Sequence, residues 1–81
     1  MEREYPRKTA FESWLADRAA GAQELDGMMP EPPSSSARWA ACETVRIYHQ
    51  VGNPLNPHLA QTVAAVLYID PWDVVDAFQQ Q

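Results

Sequence analysis

The sequence holds a single cysteine, Cys42, which excludes an internal disulfide, leaves no cysteine-rich zinc pattern and fits a reducing compartment. Lysine and arginine are missing from Val51 to Gln81, where the acidic side chains are Asp70, Asp73 and Asp76. Nucleic-acid affinity rests largely on cations set against phosphate, so this stretch would repel DNA, and a basic protein surface is its more natural partner. The plainer alternative is an acidic face that only keeps a small protein in solution. The longest apolar run, near residues 63–69, falls far short of the roughly 20 residues that cross a bilayer, and the charged start MEREYPRK has no apolar run behind it. The expectation is a soluble, cytoplasmic protein with no membrane partner. β-Branched residues never alternate with polar ones over a useful length, so there is no strand pattern.

Chemistry is equally short of raw material. There is no glycine-rich phosphate loop, no Ser-His-Asp set in a structural context and no carboxylate pair on a cleft-sized scaffold. His49 and His58 stand nine residues apart without further ligands at metal spacing, and Cys42 has no base cluster to activate it. The expectation is a protein that is not an enzyme and takes no metal or cofactor.

What the 81 residues do contain is 46% hydrophobic side chains and three tryptophans, enough for one small core in a domain of this size. A chain this short buries only about 60% of its unfolded surface, so its stability should be modest. Residues 1–8 have no period and read as a flexible tail. Thr9 and Glu12 form a capping box, after which Phe11, Trp14 and Leu15 share one face with Ala19 on its border. A first helix is therefore expected from Ala10 to about Ala20, with Gly21 a candidate end and a further turn to Leu25 open. Residues 26–36, DGMMPEPPSSS, combine prolines, serines and Gly27 into a linker that lets this helix dock on the rest of the chain or swing free as an arm. Docking is favoured because Phe11, Trp14 and Leu15 otherwise stay exposed.

The helical pattern returns at Ala37, with Ser35 or Ser36 as cap and a stripe of Ala37, Ala40, Ala41, Thr44, Val45, Tyr48 and Val51, Ile47 lying beside it. In this reading Arg38, Glu43, Arg46 and Gln50 face away. Gly52 should end the helix. Asn56–Pro57 and Asp70–Pro71 then mark two helix starts by one device, an N-cap side chain followed by a proline that has no N–H to lose. Between them, Leu59, Ala60, Val63, Ala64, Leu67 and Ile69 lie on or beside one face, and the chain should turn near Tyr68. The fold class is all-α: a small helical bundle in which residues 37–81 form a compact three-helix unit and residues 9–25 add an N-terminal helix.

Val63, Ala64, Leu67, Ile69, Val74 and Ala77 stand where a helix-turn-helix wants apolar or small side chains, and residues 57–78 resemble that motif in the repressor/Cro-like family. Tyr68 occupies the place of the family's usual turn glycine. A second alignment sets Ile69, Asp70 and Pro71 on the Ile-Asp-Pro phrase between the fourth and fifth helices of the same family. In that register, the resemblance implies DNA contacts upstream, in 37–56, where Arg38 and Arg46 are the only arginines.

Two functional readings follow. In the first, a small regulator or inhibitor from a phage or mobile element binds a host or cognate protein through an acidic C-terminal surface. Trp72, Asp73, Asp76 and Gln79 would form the contact, with Trp72 either an exposed anchor or simply a core residue. In the second, a transcriptional regulator, most naturally a homodimer, contacts DNA through Arg38, Arg46, the glutamine tail and helix N-termini. A third option, assembly through exposed tryptophans with Met28 and Met29, stays open.

Overall fold

The computed structural model describes residues 9–80, so the tail expected over 1–8, together with Gln81, lies outside the described residues. Four α-helices follow one another: α1 (Ala10–Leu25), α2 (Ser35–Val51), α3 (Pro57–Leu67) and α4 (Pro71–Gln79), with one 3₁₀ turn at Asp26–Met28 after α1. The described residues contain no strand, and none of their helices is long and apolar enough to cross a membrane.

Each helix starts where local chemistry supplies a partner for its free N–H groups. Thr9 Oγ1 accepts from the Glu12 N–H at 3.0 Å while Glu12 Oε1 accepts from the Thr9 N–H at 3.1 Å, completing the capping box. Ser34, rather than Ser35 or Ser36, caps α2, and so the helix begins two residues before Ala37. Asn56 and Asp70 cap α3 and α4 with prolines at the first helical position, as the Asn-Pro and Asp-Pro pairs require. The first helix runs through Gly21 to Leu25, because a single glycine in a helix costs only about 1 kcal/mol and Ala22 lies buried beyond it.

The first helix docks. Phe11 is 1% exposed and packs with Leu15 and Ala22 into a core shared with Val45, Val63, Ala64, Leu67 and Val74. An aromatic group locks the junction of α1, α2 and α4: the Phe11 ring stacks on Trp14 and His49 at centroid distances of 5.8 and 4.7 Å, and Phe78 meets Phe11 edge-on at 5.4 Å. His49 is thus a packing residue, whereas His58 is exposed. The α3 face is buried as its pattern predicts, with Gln61, Thr62 and Ala65 outside, and Val66 joins it.

The expected orientation of α2 is corrected. Arg38, Ala41 and Val45 are its buried residues, while Ala37, Ala40, Thr44, Ile47 and Val51 are exposed, so the helix is rotated from the face that apolar counting selects. Arg38 causes the rotation. Its guanidinium makes two hydrogen bonds to the Asp26 carboxylate, at 2.9 and 2.6 Å, and its Nε–H donates to the Val66 carbonyl at 2.8 Å. That carbonyl lies in the last turn of α3, where no intrahelical N–H remains to meet it. Tyr68 completes the cluster: its hydroxyl donates to Asp26 at 2.6 Å and its ring lies 5.7 Å from the guanidinium carbon.

Tyr68 also ends α3 in the left-handed conformation, φ 59° and ψ 41°, which costs a side chain with a Cβ roughly 1–2 kcal/mol. The contacts of its ring and hydroxyl with Arg38 and Asp26 hold it there. The hydrogen bonds from Arg38, then that from Tyr68, draw the Asp26 carboxyl down from 3.8 to about 2. Burial, followed by the Asp26 contact, raises the Tyr68 hydroxyl and keeps it a donor.

Gly21 and Gly52 both have open space where a Cβ would stand, but Gly52 is left-handed at φ 81° and Gly21 is helical. Gly21→Ala should raise the unfolding free energy by about 0.5–1 kcal/mol and Gly52→Ala lower it by about 1–2 kcal/mol in urea titrations; equal signs would contradict the assignment. A carboxyl whose pKa is depressed on folding stabilises the fold above its unfolded value and loses that contribution as pH falls through the folded one. Asp26→Asn should therefore be less stable than the parent at neutral pH, and the gap should close as pH falls from about 3.8 towards about 2, measured by circular dichroism melts across that range.

Candidate functional site

Pro54 and Leu55 of the connection between α2 and α3, with Pro57 at the start of α3, meet α4 across a groove of about 690 Å³. Ala60 of α3 lines it, and Trp72, Val75 and Phe78 of α4 face it from the opposite wall, at the helical spacing that puts i, i+3 and i+6 on neighbouring rows. Gln61, Asp70 and Gln79 supply its polar edge. Its volume falls within the range of about 300–1,000 Å³ common for ligand clefts.

Trp72 is the most conspicuous member. It is 73% exposed, at the second position of α4, where the helix turns away from the core that Val74 and Ala77 reach. Of the two readings open for it, exposure at the groove is the observed one. Burying a tryptophan would remove about 150–250 Å² from water, a gain of several kcal/mol that the folded chain forgoes.

The expected contact residues divide between groove and rim. Trp72 and Gln79 line the groove; Asp73 and Asp76 are exposed on α4 but do not line it. Asp76 shares an outward stripe with Trp72 and Gln79 at i+4 and i+7, and Asp73 sits in the first turn, where a carboxylate suits the positive end of the helix. The helix starts beside the groove do not offer anion-binding N–H groups in the usual number. Pro57 and Pro71 have none, Asn56 takes the Leu59 N–H at 2.7 Å, and Asp70 takes the Trp72 N–H at 2.8 Å.

Arg38 and Arg46, the cations of the DNA-binding alternative, are elsewhere. The expectation that Arg38 faces outward is overturned by its burial against Asp26 and Val66, which leaves its guanidinium no free edge for phosphate or base. Arg46 is half-exposed and pairs with Glu43, with Glu12 at 3.7 Å and with Gln50 at 3.3 Å. The Cys42 thiol is raised by burial, which keeps it protonated and poorly nucleophilic. Among the described residues, no group of three or more His, Cys, Asp and Glu side chains could hold a metal ion.

Sequence reasoning missed Leu55, Ala60 and Val75 as lining residues, although a signal for them exists. The last helix carries Trp72, Val74, Val75, Ala77 and Phe78, more apolar rows than one buried face can absorb, and Pro54 and Pro57 flank Leu55 in a stretch that no helix pattern covers before Pro57. No family model, curated protein or solved structure matches the chain.

Proposed function

We propose that this protein is a non-catalytic protein-interaction module that binds a partner with a basic surface through the α4 face. One observation carries the reading: an exposed tryptophan stands at an apolar groove, on a stretch that holds Asp70, Asp73 and Asp76 and no lysine or arginine. A marginally stable small domain leaves a tryptophan in water at a cost, and a Trp at a groove is the residue type most enriched in binding hot spots. The acidic rim would steer a cationic partner and set its register, while the groove would supply most of the affinity. Small size and the repressor-like resemblance extend the proposal to a regulator or inhibitor carried by a phage or mobile element and directed at a host protein.

A helix-turn-helix regulator, binding DNA as a homodimer, is the second reading. The left-handed residue at Tyr68, where that family has glycine, favours it. The electrostatics oppose it, since Arg38 is committed to Asp26 and the helices α3 and α4 bring no cation to a phosphate backbone.

Capture of the tagged chain from host lysate, with and without nuclease, separates the two. The first reading requires a stoichiometric protein that survives nuclease, and the second a discrete DNA sequence. On that partner, Trp72→Ala should cost about 2 kcal/mol or more in binding while leaving the melting temperature nearly unchanged. Asp73→Asn with Asp76→Asn should weaken binding and flatten its dependence on salt; unchanged affinity and slope would remove the acidic face from the account.

A further inference from the structure

We infer that the groove between α3 and α4 takes an amphipathic helix of the partner, apolar on one face and lysine- or arginine-rich at its flanks. The inference rests on the proposed binding function and names the form of its ligand. The described residues are helical or irregular, with no sheet edge to which a strand could add, so main-chain pairing of an extended peptide has no template. What the surface does offer is a trough with an apolar lining, Leu55 and Ala60 from one part of the chain and Trp72, Val75 and Phe78 from α4. A helix presents apolar side chains at i, i+3, i+4 and i+7 to such a trough, and its own backbone needs no partner there because its hydrogen bonds are internal.

Charge selects the flanks. Asp70 lies at the groove edge, and Asp73 and Asp76 are exposed on the same short helix, with no lysine or arginine between Val51 and Gln80 to offset them. An acidic helix with the same apolar face would be repelled by these carboxylates, and a cationic one would be drawn in and oriented. The capped, proline-led starts of α3 and α4 remove the N–H groups that would otherwise favour an anion at the same place.

The test uses two stapled helical probes of about 15 residues, with leucine at i, i+3, i+4 and i+7 and either lysine or glutamate at the remaining positions. Each is titrated into the full ¹⁵N-labelled chain and followed by amide and tryptophan-indole shifts. The lysine probe should saturate, with shifts concentrated at Leu55, Ala60, Trp72, Val75 and Phe78, and should bind at least about tenfold more tightly than the glutamate probe at low salt.

Val75→Arg, at a half-buried groove position, and Gln61→Arg, at an exposed one that the fold does not use, should each reduce binding of the lysine probe by about tenfold or more. Retained helical circular dichroism certifies the variants, and the Gln61 variant decides if the Val75 one misfolds. Equal binding of the two probes at the groove would overturn the basic-partner reading while leaving the groove as a helix site. Saturable binding of the lysine probe that both arginine variants leave unchanged, or shifts centred on α2, would overturn the groove and leave the acidic surface standing. No saturable binding of either probe would overturn the helical ligand.

Discussion

The structure depends on one buried cation. Arg38 enters the interior at the start of α2, and taking a guanidinium out of water is costly unless its donors are met in good geometry. Asp26 meets two of them, from the turn that ends α1, and Val66 meets a third, from the end of α3. Three separate parts of the chain are thereby tied to one side chain. Tyr68 adds its hydroxyl and ring to the same group, and in doing so holds the left-handed residue that turns the chain from α3 into α4. Removing either charge would leave the other stranded, so the connection between residues 26 and 34, with its prolines, closes on a fixed anchor rather than acting as a loose tether.

That anchor has consequences for the surface. It sets the rotation of α2, which turns Val45 inward and leaves Trp39, Ile47 and Val51 outside, and it fixes where α4 leaves α3. The aromatic contacts of Phe11 with His49 and Phe78 then hold α4 from the opposite side, so that Phe78 serves the core on one edge and the groove on the other. A groove whose wall is also a core residue keeps its shape without a ligand, which lowers the ordering cost of binding. Arg38, one of the two arginines of the DNA-binding alternative, is committed to holding the fold, and the α4 face is apolar and acidic.

How much of this was legible in the sequence depends on range. Thr9 with Glu12, Asn56–Pro57 and Asp70–Pro71 act within three residues, and each helix start that they predict is observed. The α3 face is dense in apolar residues and reads correctly for the same reason. By contrast, α2 has alanines on several sides, so its apolar stripe is nearly degenerate, and a charged residue at its most buried row decides the outcome. The partners of Arg38 lie 12 and 28 residues away, which no local pattern encodes, and Asp26 falls in a stretch whose prolines read as linker. At the surface, Trp72 beside aspartates was visible, but the groove was not, because it needs Leu55 and Ala60 from one part of the chain and Val75 and Phe78 from another.

The most direct test of this account is a double-substitution cycle on Arg38 and Asp26. Arg38→Met, Asp26→Asn and the two together would be unfolded in urea at neutral pH and their midpoints compared with the parent. If the pair is a mutually dependent anchor, Asp26→Asn strands the buried guanidinium and Arg38→Met leaves the half-buried carboxylate without its cation, and the double variant loses clearly less than the sum of the two singles. Strict additivity would mean that the two side chains act independently, and that the rotation of α2 and the turn at Tyr68 are held by something else.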